Sequence, residues 1–321
     1  MYTYTILPLS FITNEKVGIY VDVCAMNCHY RFYTLEDFFK KSFENGFQYV
    51  ELWTGPMHFY LDCNGYDPVE NLRQLERKYK LKVIGVCPEQ TNPKPNNMAA
   101  KSTEEQERVF AYFKNAIDIA YEINANQVVV TSGWAYLSEN KDEAKQRSAK
   151  MLNRLAQYGA SKNIPLAIEA LQPMESVLVN TISDLKGFLD LVNHDNLKIC
   201  LDLGAMAKAK ENINDYFEAF GTRVIHCHFV DGNPTGHMAW GDGTRCMSQD
   251  LNTLKKYNYT GLLSFEIVNR VYYRKPFEAD KKSKLLFDKW RKEKWQSIQS
   301  FVMKLLKMSV ARKTFQVLFI V

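Results

Sequence analysis

The sequence lacks the features of several non-globular classes. No apolar run approaches the roughly 20 residues that a membrane-spanning helix needs, and the first 13 residues have neither a basic start nor a small-residue cleavage site. No low-complexity segment or sequence repeat of about 20 to 50 residues stands out in the chain. We therefore expect a globular protein with no signal peptide and no membrane partner.

Cysteines are too irregularly spaced for a disulfide framework or a zinc ribbon. The seven cysteines are an odd number, and Cys24 and Cys28 find no second close pair downstream. Several cysteines lie inside apolar, strand-like runs, where a free thiol packs as a small hydrophobic group. This usage indicates a reducing environment, so we expect a cytoplasmic protein.

Neither sign of charge dominates, and histidine is scarce. The 321 residues include 41 basic and 36 acidic side chains, for a formal net charge of +5, with the densest basic cluster in residues 274–294. This balance is too weak to indicate nucleic-acid binding, so we expect no nucleic-acid partner. The chain has six histidines, which is few for a site that binds several metal ions.

What the chain does contain is a strict alternation of short β-branched runs with longer amphipathic stretches. The strand-like runs are residues 17–24, 48–53, 81–87, 127–132, 165–170, 198–203, 223–230 and 262–267. Helix-like stretches between and after them include 34–46, 102–124, 140–163 and about 284–308. Strict alternation predicts parallel strands, and eight units favour an α/β fold with a single closed (β/α)8 TIM barrel.

The pattern also predicts the domain limits. We expect one catalytic barrel over residues 17–308, preceded by an N-terminal extension at 1–16 and followed by a C-terminal tail at 309–321. A barrel of this size commonly forms one domain.

Ionisable side chains fall at the ends of four successive predicted strands. They are Glu169, Asp202, His228 and Glu266, on strands five to eight. The carboxyl ends of barrel strands converge on one rim, which is where such barrels place their active sites. Three carboxylates and an imidazole meeting there would repel without a cation. An oxygen-rich set with one nitrogen favours a six-coordinate Mn²⁺, Co²⁺ or Mg²⁺ over a structural zinc.

The stretch "RVIHCHFVDG" at 223–232 places two histidines on one face of a strand. His228, at the mouth of the strand, is the predicted metal ligand. His226 lies one pleat deeper, where it would support the ligand or contact substrate. Asp231 follows the strand and would orient a ligand, cap the loop or hold His237.

These residues lie in motifs that together resemble the xylose isomerase-like barrel superfamily of sugar epimerases and isomerases. The resemblance covers roughly residues 17–308 and is closest to the fructoselysine and the ketose (tagatose and psicose) 3-epimerases. The motifs are those at 49–59, 83–98, 168–176, 200–206, 226–243 and 264–268. The resemblance implies that Mn²⁺ or Co²⁺ is bound at the four positions above and that Glu175 contacts substrate.

Two positions depart from the ketose epimerases. Ala205 stands where they carry a substrate-binding histidine, and Pro234 stands where they carry an arginine. The fructoselysine epimerases look similar to this chain at the first position. These departures favour a 1-substituted ketose over a simple free ketose as the substrate.

The resemblance and the strand positions together suggest C3 epimerisation of a 2-ketose through an enediolate. One carboxylate would remove the C3 proton, and the other would return one on the opposite face. Glu169 and Glu266 end strands that two others separate, so we assign them these roles. The substrate-binding candidates are Glu175, Glu89, His58, Trp53, His226 and His237, with Trp134 and Trp240 as further candidates for the substrate wall.

Other functions share this barrel. A ketose–aldose isomerase or an inosose-type dehydratase would begin from the same enediolate and is the nearest alternative. An endonuclease-IV-like DNA-repair nuclease is more remote, because it would need more histidines and a basic stripe. A catalytically inactive sugar-binding barrel would not need the full ligand set. We expect a small sugar as partner and, by analogy with the family, a homo-oligomer.

Overall fold

Eight parallel strands close into a barrel in the order in which they occur along the chain. The structure, a computed structural model, describes residues 21–92 and 94–318, with side chains to residue 300 apart from residue 298. The strands are β1 (Val23–Met26), β2 (Tyr49–Trp53), β3 (Lys82–Cys87), β4 (Gln127–Val130), β5 (Leu166–Ile168), β6 (Leu197–Asp202), β7 (Val224–His228) and β8 (Leu263–Phe265). The predicted (β/α)8 barrel is confirmed.

Helices lie between successive strands along the chain and after the last strand. They are α1 (Leu35–Glu44), α2 (Val69–Tyr79), α3 (Thr103–Glu122), α4 (Lys141–Ser161), α5 (Ile182–Val192), α6 (Leu203–Lys208), α7 (Ile213–Phe220), α8 (Met247–Lys256) and α9 (Pro276–Leu318). Contacts divide the chain into a unit Val21–Lys284, which contains all eight strands, and a second unit that includes Leu285 onward. No helix in the described residues is long and apolar enough to cross a membrane.

Two predicted boundaries differ from the structure. The first strand begins at Val23, because Val23 is the first residue to pair with β8 and Cys24 is the first to pair with β2. Residues 17–20 of the predicted strand lie outside the described residues. The last helix begins at Pro276, since proline fits the first helical turn, and it continues to Leu318. The predicted extension at 1–16 also lies outside the described residues.

The helix starts are set by local side-chain caps. The hydroxyls of Thr34 and Ser102 accept hydrogen bonds from the backbone N–H groups of Asp37 and Glu105. In return, the carboxylate of each acid accepts a hydrogen bond from the backbone N–H of the cap residue. Each such cap stabilises a helix by about 1 kcal/mol. The helices predicted at 34–46 and 102–124 are therefore confirmed, with slightly shorter bounds.

The side chains of β8 alternate between the helix side and the interior of the barrel. Phe265 is fully buried and packs edge-on against Phe47, which lies between α1 and β2, with ring centroids 5.9 Å apart. Its neighbour Ser264 is also fully buried and must point to the other face, the barrel interior. Glu266, two residues further, follows the same interior face toward the carboxyl ends of the strands.

One glycine keeps the barrel interior open for polar side chains. A Cβ atom at Gly85 on β3 would lie 2.5 Å from Nε2 of Gln127 and 3.2 Å from Oε1 of Glu51. Any larger residue there would therefore displace these two side chains.

All seven cysteines are free thiols.

Candidate metal and substrate site

The barrel brings the four predicted metal ligands together. Glu169 follows β5, Asp202 ends β6, His228 ends β7 and Glu266 follows β8. Each offers one ligand atom, and these atoms all lie within 4.8 Å of one another. Nδ1 of His228 is 3.0 Å from Oε2 of Glu169 and 3.0 Å from Oε2 of Glu266. Parallel strands that end at one rim account for this convergence.

The pKa values of the two glutamates in this cluster are shifted in opposite directions. Burial raises the pKa of Glu169; His228 opposes that rise, and the charges of Glu266 and Asp202 add to it. Burial also opposes ionisation of Glu266, but the neighbouring His228 and His237 hold its pKa below the usual range. The two carboxyl groups are thus driven in opposite directions, as expected where like charges share a site.

His228 is the nitrogen donor of the set. Its side chain is fully buried, and neither ring nitrogen has a hydrogen-bond partner of good geometry among the described residues. Burial alone would lower the pKa of this imidazole, but the carboxylates around it, Glu266, Glu169 and Glu51, raise it. Buried polar atoms left without partners are costly. A divalent cation held by Nδ1 and the three carboxylates would give each of these four groups a partner, so the residues fit such an ion.

Two other groups of ligating atoms share His228 and fit a cation less well. One adds Cys200 and His226, and the other adds Cys87 and Glu266. Burial raises the pKa of both thiols well above its usual range. Since the thiolate is the metal ligand, these cysteines remain neutral packing groups, and the oxygen-rich set is the better site.

A fourth carboxylate lies beside the cluster and was not assigned a role from the sequence. Glu51 on β2 is fully buried, with Oε2 2.9 Å from Nε2 of His226 and 3.4 Å from Nε2 of His228. The two histidines hold the pKa of Glu51 low against the effect of burial. His226 is therefore tied to Glu51 in the barrel interior rather than exposed to substrate. An acid between apolar strand residues was the available signal for Glu51.

His237 comes to the cluster from the loop after β7. Its Nε2 atom is 3.0 Å from Oδ2 of Asp202 and 3.4 Å from Oε2 of Glu266. The backbone of His237 has φ of 45°, a left-handed conformation that is strained for a residue other than glycine and that occurs most often at functional sites. A Cβ atom at Gly204 would lie 2.8 Å from Cε1 of His237, so glycine is needed for this approach.

Asp231 holds that loop in place. Its carboxylate is buried and accepts hydrogen bonds from the backbone N–H groups of four residues, Gly232, Gly241, Gly243 and Arg245, at 2.7 to 3.0 Å. Of the three roles considered from the sequence, the structure favours loop capping. The loop in turn carries His237 to the carboxylates.

A cavity of about 260 Å³ opens onto the cluster. Its lining includes the predicted substrate residues Trp53, Glu89, Glu175 and His237, together with Glu169, Asp202 and Glu266. It also includes two cations that the sequence interpretation missed, Arg31 and Lys94. Burial raises the pKa of Glu175, whose Oε2 accepts a hydrogen bond from the backbone N–H of Gln172 at 2.8 Å.

His58 lies elsewhere, away from its predicted place in the substrate wall. Its Nδ1 atom is 2.8 Å from Nδ2 of Asn27, and its Nε2 atom is 3.0 Å from the carbonyl oxygen of Tyr33. The ring meets Trp53 edge-on at 6.2 Å. His58 thus supports a cavity-lining ring from behind. The direction of a side chain in the loop after β2 cannot be read from spacing.

The two other tryptophans proposed for the wall have packing partners instead. The indole Nε1 of Trp240 donates a hydrogen bond to the carbonyl oxygen of Phe229 at 2.9 Å, and the two rings lie 4.4 Å apart. The ring of Trp134 packs edge-on against Tyr136 at 5.2 Å. Neither tryptophan contributes to the cavity lining.

The chain is similar to several sugar epimerases. It is 26% identical over 259 residues to fructoselysine 3-epimerase from Shigella flexneri, covering 78% of this chain and 94% of the relative. It is 22% identical over 209 residues to D-psicose 3-epimerase from Enterocloster bolteae, covering 63% and 67%. These relatives are epimerases, which are isomerases, so the prediction of an isomerase-class enzyme is confirmed.

Solved structures show the same fold. The crystal structure of a D-tagatose 3-epimerase-like protein matches with a TM-score of 0.69 and 22% identity, covering 87% of this chain and all of that one. The model of the xylose isomerase-like TIM barrel family matches residues 39–290. Because this match spans well over half of the chain, the protein belongs to the xylose isomerase-like TIM barrel family.

Proposed function

We propose that this protein is a divalent-cation-dependent epimerase that inverts C3 of a 2-ketose or a 1-substituted ketose. The observation that carries the proposal is the convergence of Glu169, Asp202, His228 and Glu266, whose ligand atoms lie within 4.8 Å of one another beside the cavity. The fructoselysine and psicose 3-epimerases among the relatives support the reaction type.

The four side chains would hold one cation, Mn²⁺ by preference, with Co²⁺ and Mg²⁺ as alternatives. The ion would act as a Lewis acid that polarises a substrate carbonyl oxygen. Asp202 and His228 would act only as metal ligands and take no part in proton transfer. The Nε2 atom of His228 faces Glu51, so the buried carboxylate favours the tautomer that leaves Nδ1 free toward the cavity.

Glu169 and Glu266 would move the protons. They follow β5 and β8, which β6 and β7 separate, so the two carboxylates approach the cavity from different sides. One would take the proton from C3 and the other would return a proton to the opposite face, which inverts the configuration. His237 contacts Glu266 and Asp202 and would orient both. Trp53 and Glu175 would line the sugar.

Hydrogen exchange at C3 tests the proposal directly. The full chain, loaded with Mn²⁺, is incubated in D₂O with fructose, psicose, tagatose, ribulose and 1-substituted fructosamines, and C3 exchange is followed by NMR. We expect deuterium at C3 and a pair of C3 epimers as products. Epimers formed without exchange would contradict proton transfer by carboxylates. Formation of an aldose with exchange at C1, or of a dehydrated sugar, would point to the isomerase or dehydratase alternative.

Several expectations from the sequence stay predictions. They are the cytoplasmic location, the homo-oligomer, the absence of nucleic-acid partners and the domain limits at 1–16, 17–308 and 309–321.

A further inference from the structure

Arg31 is a cation at the substrate cavity with no acidic partner in the part of the chain that the structure describes. It lies in the loop after β1 and lines the same cavity as Glu169 and Glu266. The other basic side chain of the lining, Lys94, is neutralised by Glu89, with Nζ 2.8 Å from Oε1. Arg31 therefore carries the uncompensated positive charge of this lining.

The guanidinium of Arg31 is held in place by two aromatic rings. Its central carbon lies 4.9 Å from the ring centroid of Tyr273 and 5.5 Å from that of Trp53. Both rings are anchored: the hydroxyl of Tyr273 donates to the carbonyl oxygen of Val268 at 3.1 Å, and the backbone N–H of Trp53 donates to Oδ1 of Asn27 at 2.7 Å. Such contacts fix an arginine that would otherwise lose rotamer freedom on binding.

The fork of the guanidinium remains available to a ligand. Nε donates to the carbonyl oxygen of Cys28 at 3.3 Å, and no hydrogen bond joins the two terminal nitrogen atoms to any described residue. Two parallel N–H groups match the oxygen atoms of a carboxylate or a phosphate. Hydroxyl groups of a neutral sugar would form weaker hydrogen bonds with this guanidinium than an anionic group would.

The topology places Arg31 away from the reacting carbons but within reach of the same ligand. The four clustered side chains come from β5 to β8, whereas Arg31, Trp53 and Glu89 come from the segments after or within β1 to β3. A ketose with C3 beside Glu169 and Glu266 would direct part of its length toward that other wall. We propose that Arg31 binds an anionic group on the substituent of the ketose, so that the preferred substrate is a 1-substituted ketose that ends in a carboxylate or a phosphate. This inference rests on the proposed function.

Paired ligands that differ in one anionic group test this role. One pair is a 1-(carboxyalkylamino)-1-deoxyfructose and its primary amide, and fructose 1-phosphate with fructose is the second pair. Binding to the Mn²⁺-loaded full chain is measured by calorimetry. We expect the anionic member of one pair to bind about 10- to 100-fold more tightly, the range of a charge-assisted hydrogen bond. The pair that shows the preference identifies carboxylate or phosphate as the recognised group.

Variants assign the preference to Arg31. Arg31→Met keeps the stem against the rings and removes the charge, so the ratio within the pair should fall to near one. Arg31→Lys keeps the charge without the fork and should retain part of the ratio. Arg270→Met removes the same charge from an exposed residue of a short 3-10 helix outside the lining and should leave the ratio unchanged.

The outcomes separate this inference from the proposed function. If Arg31→Met weakens the acid and the amide equally, or if no anionic ligand is preferred, the inference is wrong even where epimerisation occurs. If an Arg31-dependent preference is measured but no ketose exchanges at C3, the subsite stands and the proposed reaction fails. Preference and exchange together support both.

Discussion

Two clusters of buried ionisable side chains in the described residues differ in how well their charges are matched. In the ligand cluster, the carboxylates of Glu169, Asp202 and Glu266 surround the imidazole of His228. In the second, the carboxylate of Asp280 lies 3.1 Å from Nε2 of His29 and accepts a hydrogen bond from the hydroxyl of Tyr30 at 2.7 Å.

The second cluster sets one carboxylate against one imidazole and one hydroxyl, although the ring nitrogens of His29 make no hydrogen bond of good geometry among the described residues. All three side chains are buried, and none of them lines the cavity. It ties the segment after β1 to the start of α9. The ligand cluster has excess negative charge and opens onto the cavity. Burial of charge alone therefore does not mark a functional site, whereas unmatched charge beside a cavity does.

The largest expected effect is on turnover. Glu266→Gln removes a group assigned to proton transfer, so C3 exchange and epimer formation should fall by about 10²- to 10⁴-fold. Urea unfolding of the cation-free variant near neutral pH should show a loss of stability, because His228 and His237 favour the ionised Glu266 in the folded state. Glu104→Gln, an exposed change on α3, is the control. A near-normal exchange rate would remove Glu266 from the catalytic pair.

Asp280 should show the reverse pattern. Asp280→Ala leaves His29 and Tyr30 buried without their partner, which should lower the free energy of unfolding by about 3 kcal/mol. The surviving folded protein should retain C3 exchange, because Asp280 does not line the cavity. Asp190→Ala, at an exposed position on α5, is the matched control for urea unfolding. Equal stability of the two variants would show that this cluster is not structural.

Cation binding should stabilise one cluster only. At a free Mn²⁺ concentration about 100 times the dissociation constant, the folded protein should gain about 2.7 kcal/mol. Thermal unfolding with Mn²⁺ and with EDTA measures this gain. Asp202→Asn should abolish most of it, whereas Asp280→Ala should retain it on a lower baseline. A similar Mn²⁺ shift in wild type and Asp202→Asn would contradict the assigned ligand set.

The ligand cluster was predictable because it depends on strand order alone. Parallel strands in a closed barrel all end at one rim, so residues at the ends of β5 to β8 must converge whatever the loops do. Glu169, Asp202, His228 and Glu266 occupy those ends, and small inward neighbours such as Ala167 and Ser264 leave room for them. No knowledge of loop geometry was needed.

The surrounding residues were harder to predict because loops and cross-barrel contacts decide their direction. His58 follows β2 but turns back to Asn27, and Arg31 reaches the cavity because Tyr273, far along the chain, supports it. Glu51 and His226 meet across the barrel, from β2 and β7. Spacing along one segment carries no information on such pairs, which depend on the closed sheet.

A pH dependence is the smallest expected effect, and it separates the two clusters most finely. Burial raises the pKa of Glu169 against the attraction of His228. A carboxyl group whose folded-state pKa is raised stabilises the fold fully below its unfolded-state pKa, and this contribution is lost as pH rises through the folded-state value.

Glu169→Gln cannot ionise, so the cation-free variant should gain stability relative to wild type as pH rises from the ordinary carboxyl range upward. The slope should be at most about 1.4 kcal/mol per pH unit. Urea unfolding of both proteins in EDTA, over a series of pH values, measures the difference. Saturating Mn²⁺ should reverse its sign, because the ionised carboxylate then has a partner. A difference that stays constant with pH would mean that Glu169 is as well matched in the fold as Asp280, and the contrast between the two clusters would be lost.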